Sequence, residues 1–315
     1  MLSFLAPGSS TKVELNESML GGGQVAGLLR FQNNDLAEGR NLLGRMAIAI
    51  SESMNTQNRL GLTLNGQPGE NLFAPISLGN ATPSNFNTST ATMALTVADP
   101  TALQASSYTV SFTAGDAGSV TRHSDGKVFN FDGSALPPVT VASVFSAQGL
   151  GVTLSGAVNA GDQFVINSLQ GAAAELQALQ YSPTDLAAAN PVNAAMGATN
   201  GGSLQLASLK ATGPITQPAT GSPVTIAFTA GSPATYSATV PGPPVATIAT
   251  GNYVSGEKIA INGWEIALQG APKSGDTVTV GNATDSQYGA WYKRDTGTAT
   301  ALMALRDAPM FDNAT

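Results

Sequence analysis

GGGQVAGLLRFQNNDLAEGRNLLGRMAIAISESMNTQNRLGLTLNGQPGENLF, residues 21–73, is the one long segment of this chain with helical periodicity. Leu36, Leu43 and Ile50 recur at seven-residue steps, with Met46, Ala47 and Met54 on the same side. That spacing lays an apolar stripe along a helix over 28–54. Leu42 and Ile48 widen the stripe beyond a two-helix seam, so the helix is expected to meet several neighbours. The segment then ends in a turn-rich tail, and the rest of the chain offers few helices to pack on it. Its expected partners are therefore absent from these 315 residues. Gly39 and Gly44 each cost ~1 kcal/mol against Ala inside a helix, a cost that close helix–helix approach would explain.

Composition narrows the class. Charged residues make up 10% and aromatic residues 6%, with Gly, Ala, Ser and Thr abundant, which suits β domains rich in turns. Thirteen Lys and Arg stand against twenty Asp and Glu, giving a net charge of −7 and no basic cluster. Such a chain repels phosphate and anionic lipid, which disfavours nucleic acid and membrane surfaces as partners. There is no cysteine, so the expectation is a cytosolic chain or one that leaves the cell by a route without disulfides. No apolar run approaches the ~20 residues of a membrane span. No basic-then-apolar leader opens the chain, and Met1 followed by LSFLAPGSSTKVEL reads as a start inside a longer protein.

After residue 73 the character changes. Residues 75–91, PISLGNATPSNFNTSTA, read as a polar linker. From Leu95 onward short β-type runs alternate with Gly, Pro and Asp: YTVSFTAG (108–115), KVFNF (127–131), VTVASVF (139–145), GVTLSG (151–156) and QFVINSL (163–169). A second set follows with VTIAFTAG (224–231), EKIAINGWEIAL (257–268) and TVTVGN (277–282). Short helical elements are expected at 172–179 and at 183–189, the latter capped by Ser182. At the end, Thr298 or Thr300 would cap a helix in which Ala301, Leu302, Ala304 and Leu305 begin a new apolar face.

One β unit occurs twice. VSFTAG at 110–115 matches IAFTAG at 226–231, and VTLSGAVNAGDQFVIN at 152–167 matches IALQGAPKSGDTVTVG at 266–281. Leu154, Gly156, Gly161 and Asp162 fall on Leu268, Gly270, Gly275 and Asp276. Gly permits the positive φ of a tight corner and Asp can hydrogen-bond nearby backbone, so both aspartates read as turn locks. Neither has the carboxylate cluster that Ca²⁺ prefers.

No catalytic, cofactor-binding or metal site emerges. His123 is the single histidine, in the polar hairpin-like stretch TRHSDGK with an Asp125-Gly126 turn. Proton chemistry needs a base oriented by a third group, and nothing marks one beside it. Gly21-Gly22-Gly23 lacks the Lys-Ser/Thr and preceding strand of a phosphate loop, so it reads as a flexible entry to the helix. Trp264 alternates with Ile261 and Ile266 and is expected in a core, with a carbohydrate platform as the sharper alternative for it and Trp291.

Several segments carry a family resemblance. Gly27-Leu28-Leu29 precedes the long helix, Asn55 and Gln57 close it, and Gly61, Leu64, Gly66 and Gly69 space the turn that follows. Further support comes from VADPTALQASSYTVSF (97–112), TRHSDGKV (121–128), the segment 161–191 with its Gly-Asp-x-Phe strand, the run 275–295, and ALMALRD (301–307). In this order they resemble the FlgK family of bacterial flagellar hook-associated proteins. The resemblance implies a structural component that self-assembles into the hook–filament junction, is secreted through the flagellar type III export apparatus, and lies outside the cell in the flagellum. The implied partners are neighbouring copies in a ring, the hook protein, the next hook-associated protein, and an export chaperone for the full-length chain. It also implies terminal segments that this chain lacks. The expected fold class is α+β and multidomain, mainly β, with antiparallel β-rich domains inserted into a split α-helical domain. The expected division is a helical domain at 1–75 plus 291–315, a first β-rich domain at 76–205 and a second at 206–290. The alternative function is a bacterial surface adhesin or glycan-binding β-module protein, although a stalk of β units would not need the long helix.

Overall fold

The computed structural model describes residues 3–5, 12–14, 21–179 and 182–308, the first two stretches as backbone alone. The rest of the opening segment, Gln180 and Tyr181 of the family-like 161–191 segment, and 309–315 of the closing tail lie outside the described residues. β1 (Ser3–Leu5) and β2 (Lys12–Glu14) pair antiparallel. A continuous helical run follows: α1 (Gln24–Arg30), one π-helical stretch at Phe31–Asp35, and α2 (Leu36–Arg59). It starts earlier and ends later than the expected 28–54 span. The chain divides into two compact units, one holding the residues up to Ser51 with Pro75–Gln177, the other Glu52–Ala74 with Ala178–Ala308.

The first unit is a two-sheet sandwich. Its strands are β3 (Thr82–Pro83), β4 (Thr92–Val97), β5 (Tyr108–Phe112), β6 (Ala117–Arg122), β7 (Val128–Asp132), β8 (Leu150–Ser155) and β9 (Gln163–Ile166), with helices α3 (Val141–Ser146) and α4 (Leu169–Ala172). One sheet has the order β3-β9-β5-β6-β7 and the other pairs β4 with β8. Side-chain alternation aims Tyr108, Val110 and Phe112 inward from β5 and Met93 and Leu95 inward from β4. They share one core with Val120, Phe131, Phe145, Leu150 and Phe164. Phe112 meets Phe131 and Phe164 edge-on, and Tyr108 meets Phe145 in the same way. Each fully buried side chain of this size contributes about 1.5–3 kcal/mol.

The second unit repeats the plan. It contains β10 (Val192–Met196), β11 (Gln205–Ala211), β12 (Val224–Thr229), β13 (Ala234–Val240), β14 (Ala246–Tyr253), β15 (Lys258–Ile261), β16 (Trp264–Gln269) and β17 (Thr277–Asn282), followed by α5 (Gly297–Ala304). One sheet runs β10-β17-β12-β13-β14 and the other β11-β16-β15. Their shared core is centred on Trp264, Ile226, Phe228, Ile266, Leu268, Val278 and Val280. Trp264 is fully buried and its indole N–H donates to the Gln217 carbonyl at 2.6 Å, so it is a core residue and not a ligand platform.

The register proves the repeat residue by residue. Val110 pairs with Phe164 as Ile226 pairs with Val278, and Met93 pairs with Leu154 as Leu206 pairs with Leu268. At the corners, Gly161 and Gly275 adopt φ of 91° and 92°, a region open to glycine. Asp162 accepts from the backbone N–H of Thr88 (2.9 Å) and Asn159 (2.8 Å). Asp276 accepts in the same way from Gly201 (2.8 Å) and Lys273 (2.8 Å). Both carboxylates are buried and act as the turn locks expected of them. A second lock stands beside each. The Asn87 amide exchanges two hydrogen bonds with the backbone of Gln163, and Asn200 does the same with Thr277. In both cases an amide side chain replaces one rung of a strand ladder.

Several local expectations differ from what is observed. VTVASVF is not a strand: Thr140 accepts from Ser143 N–H and caps α3, and the cap outweighs β-branched propensity. EKIAINGWEIAL is two strands, because Asn262 (φ 42°) and Gly263 (φ 91°) form a tight hairpin between β15 and β16. Residues 75–91 are not a free linker, since Leu78 and Ala81 are buried, β3 joins the sheet and Asn87 is a lock. The 205/206 boundary does not match the sheets either: β10 pairs with β17 and β11 with β16, so the second sandwich reaches back to Val192. The short helical elements are only partly where expected. The first runs earlier, Leu169–Ala172 with Ala173–Glu175, leaving 176–179 non-helical, and the second is a single 3-10 turn, Pro183–Asp185, where Ser182 caps as expected.

Candidate assembly surface

The long helix shows two faces of opposite chemistry. Its buried positions include Asn41, Gly44, Ile48, Ser51, Asn55 and Asn58, a 3–4 spacing of small and polar residues with one large apolar plug. Leu42, Leu43 and Met46 are exposed, as are Val25, Leu28 and Phe31 upstream. Leu36, Ile50 and Met54 are half-buried, while Ala47 and Ile48 reach the buried side. The stripe read from the sequence is therefore split between exposed, half-buried and buried positions, with only Ala47 and Ile48 packed against the folded chain. Leu42, Leu43 and Met46 thus form a short exposed apolar row on the helix.

The inward face explains the polar choice. In the first unit, Asn41 donates to Ser107 Oγ (3.2 Å), Arg45 donates to the Leu103 carbonyl (3.2 Å), and Ile48 enters the sandwich core. Gly44 lies so close to α4 that a Cβ there would stand 1.8 Å from the Leu169 carbonyl oxygen. Close approach thus accounts for Gly44, and the neighbour is the start of a short helix. Gly39 has nothing within 4 Å of its would-be Cβ, and its presence has no packing explanation.

In the second unit, the end of α2 is tied down by amides. Asn55 Nδ2 donates to the Phe73 carbonyl and its Oδ1 accepts from Phe73 N–H, at 3.0 and 2.9 Å. Asn58 Nδ2 donates to the Glu70 carbonyl at 2.7 Å and its Oδ1 accepts from Ala187 N–H at 3.2 Å. Gly69 fits beneath this contact, since a Cβ would meet the Asn58 carbonyl oxygen at 2.2 Å. The Gly-rich spacing from Gly61 to Gly69 is therefore a chain reversal clamped onto the helix end. Asn58 was not singled out in the sequence, yet it carries as much of this clamp as Asn55; its place three residues after Asn55 was the available signal. Thr298 does not cap α5 either: it is buried, and its hydroxyl donates to the Ala189 carbonyl at 2.8 Å.

The chemical candidates fall into structural places. His123 Nε2 lies 2.8 Å from Thr109 Oγ1, so its ring partner is a hydroxyl, while the adjacent Arg122 and Asp125 pair with each other. Gly21, Gly22 and Gly23 all have positive φ and lead directly into α1. Trp291 is exposed in a single 3-10 turn. Among the described residues no group of three or more His, Asp or Glu side chains is placed to hold a metal ion, and no helix is long and apolar enough to cross a membrane.

Comparison with known proteins agrees with this geometry. Residues 2–73, which contain the two-faced helix and its clamp, match the family model described as the flagellar hook-associated protein FlgK helical domain. Residues 82–168, the first sandwich, match the D2-like domain of flagellar hook-associated protein 1. The solved structure of the flagellar hook junction protein FlgK from Burkholderia pseudomallei superposes with a TM-score of 0.73 at 27% identity, over 98% of this chain and 58% of that one. The chain belongs to the FlgK family. Flagellar hook-associated protein 1 of Escherichia coli is 30% identical over 190 residues, 59% of this chain and 33% of its own length. The Salmonella typhimurium protein of the same name is 29% identical over 181 residues, 56% of this chain and 31% of that protein. This FlgK-family chain therefore spans about a third of the length of the curated relatives it matches.

Proposed function

We propose that this chain is the central part of a structural protein that self-assembles at the junction between the flagellar hook and filament, acting by contact and not by catalysis. The observation that carries the reading is the exposed row Leu42, Leu43 and Met46, on a helix whose polar face is already engaged and whose sequence matches the FlgK helical domain. Residues 1–75 and 291–315 would form one helical domain in the whole protein. Copies of the same protein arranged in a ring, the hook protein and the next hook-associated protein are the partners this placement implies. An export chaperone and secretion through the flagellar export apparatus to the cell exterior follow from the same family reading.

The test is complementation in cells that lack their own junction protein. The whole protein should restore attached filaments and swimming, and a Leu43→Glu/Met46→Glu form, folded and exported, should leave filaments shed into the medium. Filaments that are lost with the unaltered protein would overturn the junction assignment. Specific capture of glycans by the sandwiches in such cells would favour the adhesin alternative.

A further inference from the structure

The two sandwiches share a plan, but they treat the same sheet edge differently. In the first, the edge strand β7 is short and guarded. It follows Lys127, whose ammonium sits 5.0 Å from the Phe129 ring centre, and the chain after it folds back so that Asp132 and Val139 exchange backbone hydrogen bonds. Charge and a folded-back segment are ordinary means of closing an edge to other strands.

The equivalent edge of the second sandwich has neither. β14 is eight residues long, ATIATGNY, with no charged residue and no proline. It pairs with β13 on one side, and among the described residues no strand pairs with it on the other. A bulge at Ile248 interrupts the ladder, but from Ala249 to Tyr253 the register is unbroken. Thr250 and Asn252 are exposed on one face, while Tyr253 is buried on the other. Exposed apolar residues, Val245 and Val254, flank the strand.

We propose that residues 249–253 form an edge-to-edge contact with β14 of a second copy of this chain, joining the two five-stranded sheets antiparallel. The segment is self-complementary about Gly251. Antiparallel pairing there sets Thr250 opposite Asn252 in both halves, a hydroxyl against an amide, with Ala249 opposite Tyr253 and the two glycines facing each other. Each copy carries a net charge of −7, so an uncharged strand is a place where two identical surfaces meet without direct repulsion. The inference does not depend on the junction assignment, because it follows from the strand alone.

Sedimentation velocity over a concentration series tests it. A Leu43→Glu/Met46→Glu background removes association through the helix. In that background the chain should dimerise reversibly, and amides of 249–253 should exchange more slowly as concentration rises. Thr250→Lys/Asn252→Lys places lysine opposite lysine twice and should weaken association by about tenfold or more. Thr250→Lys/Asn252→Asp places lysine opposite aspartate and should restore it. Circular dichroism and the melting temperature report whether each variant is folded, both positions being exposed. A chain that stays monomeric at every concentration overturns the proposal. So does equal association of the two double variants, or failure of the folded lysine–aspartate form to recover.

Discussion

At Gly44 the helix backbone passes so close to Leu169 that no side chain fits, whereas Gly39, little more than one turn earlier, faces open space. The two glycines therefore separate helix propensity from packing. Gly39→Ala should stabilise the chain by about 1 kcal/mol through propensity alone. Gly44→Ala gains the same propensity but must displace α4, at a cost of about 1–3 kcal/mol for overpacking, and should lower the urea midpoint. Asp162 and Asp276 make a second residue-scale case. The Ser89 hydroxyl and the Asn159 N–H hold the Asp162 carboxyl below the usual range, and the Lys273 N–H followed by those of Gly201 and Gly202 does so for Asp276. A carboxylate with a depressed folded-state pKa adds stability that is fully present above its unfolded value, near 3.9, and is lost as pH falls below it. Urea unfolding from pH 7 to pH 2.5 should show stability dropping below about pH 4. An Asp162→Asn/Asp276→Asn variant should be less stable at pH 7 and show a shallower acid drop, and an unchanged acid slope would remove the locks from the explanation.

At the scale of elements, the helix divides into a held part and a free part. No residue of α1 or of the π-helical stretch after it is buried, whereas the α2 segment from Asn41 to Asn58 has a buried face and the amide clamp. Amides of 24–35 should therefore exchange with solvent faster than those of 47–58 and of strands β5 and β12, measured on the chain as a monomer. Equal protection along the whole helix would show that the upstream part is packed. The legible elements were those with strong local chemistry: the long helix, the Gly-Asp corners, and strands such as YTVSF and TVTV with β-branched or aromatic alternation. β6, β13 and β14 (AGSVTR, ATYSATV, ATIATGNY) were missed because Ala, Gly, Ser and Thr give little periodic contrast, and their pairing is dictated by long-range partners. The side of the helix that packs on the folded units was not legible for a related reason. Amides, glycine and alanine face the folded units beside the single large apolar Ile48, and most of the amides pair with backbone groups at close range.

Over the whole molecule, two copies of one sandwich plan have diverged at their rims while keeping the same interior locks. Aspartate and asparagine hold the same corner in each, and the differences lie in edges and flanking segments. The fold class was legible from element order and repeat, whereas the boundary near 205 was not, since β10 and β11 lie far in sequence from the strands they pair with. Surface carries the function proposed for this chain. Its most direct test is the reactivity of Met46, 48% exposed here, against the fully buried Met93 as an internal reference. Peroxide oxidation is followed by mass spectrometry of Met46 in this chain alone and in the whole protein within purified flagella. The account predicts rapid oxidation of Met46 in the isolated chain and strong protection in the assembled flagellum, with Met93 protected in both. Met46 oxidised at the same rate in both states would contradict the claim that this helix face is covered on assembly.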